Sequence, residues 1–158
     1  SCTMLYSKIM VPYDGSDHAK EAVRYAKELA ALNPEATVDV IQALSVGAMD
    51  FQATYSDGVY YGQIDYEQYK QLLDATVAAA KKAMKDSLGD SLDELGERAT
   101  VEVVPGNTLA AVLADYAKHH DIDLIVMGRR GLGAIRGMLG SVSYSLLRET
   151  EIPVLTVK

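Results

Sequence analysis

The stretch from Gly128 to Ser143 (GRRGLGAIRGMLGSVS) holds the residues best suited to chemistry. Glycines at 128, 131, 133, 137 and 140 let backbone amides approach a ligand closely and adopt positive φ. Arg129, Arg130 and Arg136 add positive charge, and no acidic residue occurs between Gly128 and Arg148. Ser141 and Ser143 add hydroxyl donors. An apolar run, 122–127, leads into the stretch, and a helical pattern begins at Ser141. Unsatisfied N–H groups and the positive end of a helix dipole would therefore meet there, and such a terminus attracts an anion. Phosphate is the natural ligand. The competing reading of the same residues is a flexible connection in which Ser141 only caps its helix. No Gly-Lys-Ser/Thr follows, so this is not a Walker A loop. Nor is there a lysine to neutralise a transferring phosphoryl group, which points to binding rather than transfer.

A second cluster, Pro12-Tyr13-Asp14-Gly15-Ser16, has turn chemistry. Asp14 is the one carboxylate we place in the same crevice, either on a ligand or satisfying its own turn. A two-carboxylate or triad mechanism thus lacks parts. His18 falls near a helix start, and His119-His120 near a helix end, where partial positive charge is favourable. Asp121 and Asp123 beside the pair do not make a metal-ligand set.

The elements that must position these clusters follow from periodicity. Leu5–Val11, Thr37–Val46, Val101–Val104, Ile122–Met127 and Pro153–Val157 read as strands. Between them, Ala19, Ala22, Val23, Ala26, Leu29 and Ala30 make one helical stripe, which Ser16 caps and Asn33-Pro34 ends. Tyr69, Leu72, Leu73, Val77, Ala80, Met84 and Leu88 make a second stripe. Leu109, Val112, Leu113, Tyr116 and Ala117 make a third, with Asn107 as its cap, and Ser141–Glu149 reads as a fourth helix. Pro105-Gly106 is expected to stop the third strand. Strands separated by helices mean right-handed crossovers and a parallel sheet, hence an α/β fold with helices on both faces. Residues 47–68 stand outside this pattern. Five of the ten tyrosines, Tyr55, Tyr60, Tyr61, Tyr66 and Tyr69, lie in or beside this segment. It reads either as an elaborated surface loop or as a lid or partner surface.

The chain has 158 residues, enough for one domain, which we assign to 4–158. Ser1-Cys2-Thr3 read as residues added ahead of a natural start at Met4. Hydrophobic residues are 49% and charged residues 23%, as in ordinary globular proteins rather than disordered or fibrous ones. A net charge of −7 argues against nucleic-acid binding, which depends on Lys and Arg displacing counterions. The single cysteine cannot form an internal disulfide. No apolar run is long enough to span a bilayer, so we expect a cytoplasmic address and no membrane partner.

The turn Val11–Ser16, the run Asp123–Gly128 and the series Gly128, Gly131, Gly140-Ser141-Val142-Ser143 together resemble the universal stress protein family, over Met4 to Lys158. The resemblance implies an open five-stranded parallel sheet of order 3-2-1-4-5, a Rossmann-like fold of the adenine nucleotide alpha hydrolase type. It implies a site at the switch point between the first and fourth of those strands. The family's ATP-binding branch carries Gly, two residues, Gly, nine residues, then Gly-Ser/Thr. Here eight residues separate Gly131 from Gly140, one fewer. By position, Pro12, Ala43 and Met127 would wall an adenine, with Tyr13 in the same turn, and Asp14 would accept its hydrogen bond. Gly128, Arg129 and Gly131 would approach ribose and phosphates, and Gly140, Ser141, Val142 and Ser143 would hold phosphate oxygens. The expected ligand is ATP, with Mg or Mn held mainly by its phosphates, in a regulatory stress protein with at most slow hydrolysis. The strand 152–157 would pair across a two-fold axis to make a homodimer. Two other readings stand beside this one. A dimeric interaction module of the same fold would bind no nucleotide. A true enzyme would be related to the ATP pyrophosphatases or the electron-transfer flavoproteins of the same general fold; the pyrophosphatases need a Ser-Gly-Gly-x-Asp turn, which Pro12–Ser16 is not.

Overall fold

A computed structural model describes residues 5–46, 55–56, 59–60, 66–131 and 139–158. Strand β1 (Lys8–Pro12) leads through helix α1 (Asp17–Ala31) to β2 (Thr37–Ser45). Two short strands, β3 (Tyr55–Ser56) and β4 (Val59–Tyr60), pair antiparallel on their own. Helix α2 (Tyr66–Leu88), a 3₁₀ segment (Asp93–Arg98) and β5 (Ala99–Gly106) follow. Then come α3 (Leu109–His119), β6 (Leu124–Gly128), α4 (Ser141–Glu149) and β7 (Val154–Val157). The main sheet is parallel, in the order β5-β2-β1-β6-β7, the expected order 3-2-1-4-5.

Alternation along the strands divides the interior in two. Ile9, Val11, Val38, Val40, Leu124 and Val126 face α1 and the C-terminal half of α2. Met10, Ile41, Ile125 and Met127 face α3 and α4. Burial on both faces explains why β6 reads as an uninterrupted apolar run. Ala19, Ala22, Ala26 and Ala30 of α1 are fully or nearly buried, and a stripe of such small side chains brings the helix close to the sheet. Its outer face is polar, with Arg24 paired to Glu21 and Glu28 at 2.8 Å each. Asp123 accepts from Ser7 N–H (3.0 Å), Ser7 Oγ–H (3.1 Å) and Lys8 N–H (3.0 Å), clamping the start of β1 to that of β6.

Three boundaries differ from expectation. Strand β5 runs through Pro105-Gly106, because it is an edge strand. Gly106 O accepts from Val46 N–H (3.0 Å), so the missing N–H of Pro105 faces outward, where no ladder bond is lost. Thr108 rather than Asn107 is the N-cap of α3, and no side chain bonds to that end. The stripe on α2 is buried only at Met84 and Leu88, and Leu72 is exposed. The tyrosine-rich segment lies outside the described residues at 47–54, 57–58 and 61–65.

Candidate functional site

The sheet order reverses between β1 and β6, and both strands end at the same level, at Pro12 and Gly128. Crevices at such switch points are where open α/β sheets bind ligands. A cleft of about 680 Å³ opens there. Eleven of the twelve residues expected at a site line it: Pro12, Tyr13, Asp14, Ala43 and Met127, and Gly128, Gly131, Gly140, Ser141, Val142 and Ser143.

Tyr13 also borders the cleft, but its ring belongs to the core. It is 4% exposed, and its hydroxyl lies 2.6 Å from Ser87 Oγ on α2. Arg129 is not among the lining residues. Its N–H donates to Val157 O at 2.7 Å, which ties the segment to β7, and Arg130 lines the cleft instead. Arg136, Gly133 and Gly137 lie outside the described residues.

The turn after β1 is built by its own side chains. Asp14 Oδ1 accepts from Ser16 N–H at 2.9 Å, and Ser16 Oγ accepts from Ala19 N–H at 3.1 Å, capping α1. Gly15 takes φ +82°, which this tight turn requires. Thus Asp14 does satisfy its own turn through one oxygen. Its other oxygen, Oδ2, lies where a Cβ on residue 131 would be, so only glycine at 131 lets the carboxylate stand against the loop.

Gly128 has a different cause. A Cβ there would stand 2.7 Å from His18 Cβ and 2.8 Å from His18 C. The absent side chain makes room for the first turn of α1, a helix–strand contact, while the residue also lines the cleft.

Helix α4 begins against this loop. Gly140 is its N-cap (φ −63°, ψ 152°), and no side chain caps it. Gly140 N–H donates to Arg129 O at 2.9 Å. The first-turn N–H groups of Ser141, Val142 and Ser143 have no partner within the helix and border the cleft. Ser143 Oγ–H is already spent, donating to Gly128 O at 3.0 Å, and the residue is 8% exposed. The expected hydroxyl donor at 143 is therefore a brace between α4 and β6. Ser141 remains exposed at the helix start.

Apolar walls complete the cleft. Pro12, Ile41, Ala43, Leu109, Leu113 and Met127 surround it, and Met127, 2% exposed, is part of its floor. Strand β2 outruns β1: the last β1 pair is Pro12↔Ile41, while β2 stays paired to β5 as far as Ser45↔Gly106. Tyr13 N–H donates to Ile41 O at 2.9 Å, so the β1-facing side of β2 belongs to Ile41 and, two residues on, to Ala43. The amide and carbonyl of Ala43 thereby face the cleft beyond the end of β1. Sequence reasoning missed Ser16, Ala19, Ile41, Gln42, Leu109, Leu113, Arg130 and Leu139. Leu113 and Arg130 did carry signals, one in a helix stripe and the other in the basic cluster.

A model of the universal stress protein family matches residues 5–158. The chain belongs to that family. A universal stress protein of Methanocaldococcus jannaschii is 31% identical over 155 residues, covering 98% of this chain and 83% of the relative. One from Thermus aquaticus is 32% identical over 155 residues, covering 98% and 100%. Among solved structures, universal stress protein UspA from Lactobacillus plantarum superposes with a TM-score of 0.71 at 25% identity, covering 99% and 100% of the two chains. Two more family members share the fold and were solved with nucleotides. One is in complex with cAMP (TM-score 0.60, 24% identity, 98% of each chain). The other, from Archaeoglobus fulgidus, is in complex with dAMP (TM-score 0.58, 22% identity, 98% and 100%).

Proposed function

We propose that this universal stress protein binds an adenine nucleotide, ATP in the first instance, in the cleft between β1 and β6, and acts as a ligand-dependent regulatory switch in the stress response. The observation that carries this reading is the continuity of an apolar slot with an uncapped helix start in one cleft. A flat purine suits the slot between Pro12, Ala43 and Met127. The free edge of β2 at Ala43 offers one donor and one acceptor, the pairing an aminopurine edge requires. Phosphate oxygens suit the N–H groups of residues 141–143. The cAMP and dAMP complexes of the two family members support the choice of an adenine ligand. A divalent ion such as Mg or Mn would be held mainly by the phosphates. Hydrolysis is at most slow, because Asp14 serves its turn and no lysine lines the cleft among the described residues.

The quaternary reading uses the other end of the sheet. Strand β7 is an edge, and Tyr144 and Leu147 on α4 and Leu155 on β7 are exposed. Apolar edges of this kind invite pairing, and a second copy of residues 152–157 would cover this one. No described helix is long and apolar enough to cross a membrane. We place the protein in the cytoplasm.

Calorimetric titration with ATP tests the main reading, with binding expected well below millimolar. No binding at that level would refute it and leave the dimeric interaction module.

A further inference from the structure

We infer that Arg130 reads the length of the ligand's phosphate chain, so that the cleft prefers a nucleoside di- or triphosphate to a monophosphate or a cyclic monophosphate. This inference rests on the nucleotide reading above. Its ground is an imbalance of charge inside the cleft. Every other described arginine has a partner. Arg24 pairs with Glu21 and Glu28, Arg98 donates to three carbonyls, and Arg148 lies 5.8 Å from the Tyr144 ring centroid. Arg129 is engaged as well. Arg130 lines the cleft, and its Nε is buried with no hydrogen-bond partner among the described residues. A buried guanidinium N–H without an acceptor is unfavourable, and relief must come from an anion or water.

The backbone fixes where that anion would sit. A Cβ on Gly140 would stand 3.4 Å from Arg130 Cα, so residue 130 is braced against the N-cap of α4. The side chain therefore springs from beside the helix start. Asp14 stands against the neighbouring Gly131, yet it forms no ion pair with Arg130 within 4.0 Å among the described residues. One phosphate group can be held by the N–H groups of residues 141–143. With a monophosphate so held, the guanidinium keeps an unused fork of donors. A second phosphate gives that fork its acceptors, in the paired geometry that arginine favours.

The test compares affinities for ATP, AMP and adenosine at fixed ionic strength, by calorimetry, in the native protein, Arg130→Met and Arg130→Lys. Circular dichroism and thermal melts check that each variant is folded. The native protein should bind ATP at least about tenfold more tightly than AMP. Arg130→Met should lose roughly 10- to 100-fold in ATP affinity, with adenosine affinity unchanged and the ATP preference collapsed. Arg130→Lys, which keeps the charge but not the fork, should fall between. An ATP-to-AMP ratio that is the same in native protein and Arg130→Met overturns the inference and leaves nucleotide binding standing. Failure of the native protein to bind any of the three overturns both.

Discussion

The two best-placed glycines of the loop should respond in opposite ways to one added methyl group. At Gly128, a Cβ would approach His18 Cβ to 2.7 Å, His18 C to 2.8 Å and His18 O to 3.0 Å. Two of those atoms are helix backbone, which cannot rotate away. Relief requires α1 to move as a body, against a stripe whose Ala22, Ala26 and Ala30 are 0% exposed. Overpacking of this kind costs about 1–3 kcal/mol, and a Gly→Ala change returns about 0.4–1 kcal/mol through the unfolded chain. A net loss of about 1 kcal/mol lowers the melting temperature by about 2–4 °C in a domain of this size. At Gly140, a Cβ meets Arg130 Cα at 3.4 Å, Gly131 N at 3.5 Å and Arg129 O at 3.7 Å, ordinary contacts, and φ is −63°. Gly140→Ala should stay within about 1 kcal/mol of the native stability, while placing a methyl group at the uncapped helix start. The assay is a thermal melt of both variants without ligand, followed by ATP titration. Gly128→Ala should melt early, and Gly140→Ala should melt near the native protein but bind ATP more weakly. An unchanged melting temperature for Gly128→Ala would refute the claim that α1 imposes this glycine.

Ser143→Ala removes the 3.0 Å bond to Gly128 O and should cost about 1 kcal/mol by urea denaturation, with ATP affinity nearly unchanged. A large loss of affinity would show that the hydroxyl holds ligand after all. Burial and the 2.7 Å bond to Asp39 raise the pKa of Tyr116 above its usual 10.0. For a group whose folded pKa is raised, the stabilisation is full below the unfolded value and is lost as pH rises toward the folded one. The native protein should thus lose stability above about pH 10, more steeply than Tyr116→Phe in the same denaturant titrations. An identical slope in the variant would contradict this assignment. Leu155→Lys should convert a dimer to a monomer by light scattering at micromolar concentration, and a native protein already monomeric there would defeat the β7 pairing.

Much of the fold was legible because period and punctuation agreed. The α1 stripe, the Ser16 cap and the apolar run of β6 each predicted their element and its buried face. Pro105 misled because the sequence does not say which strand lies at an edge, and only there does a proline cost no ladder bond. The N-terminal half of the α2 stripe misled because amphipathic spacing shows that a face could be buried, not that anything covers it. Within the site, the glycine positions were legible but their causes were not. Gly128 faces a helix turn more than a hundred residues away in the chain, and Gly131 faces Asp14. Arg129 and Arg130 are indistinguishable by type and neighbourhood. Only the bond from Arg129 N–H to Val157 O separates the two, by fixing which residue faces β7.

These causes bear on what kind of site this is. Its polar groups are mostly backbone: the amide and carbonyl of Ala43 and the first N–H groups of α4. Such groups cannot adjust by changing rotamer, so their aim depends on the framework behind them. That framework consists of few, specific contacts: His18 against Gly128, Asp14 against Gly131 and Ser16, and Ser143 on Gly128 O. Affinity in such a cleft is set by residues that need not touch the ligand, and a substitution in α1 can weaken binding as surely as one in the loop. The converse follows by linkage. A ligand held by backbone groups of β2, the loop and α4 stabilises only the arrangement in which all three are in register, and it raises the stability of that arrangement in proportion to its own affinity. If the proposed nucleotide binds there, a regulatory role would need no further moving part than this, because occupancy itself would change how firmly β2, the loop and α4 are held together.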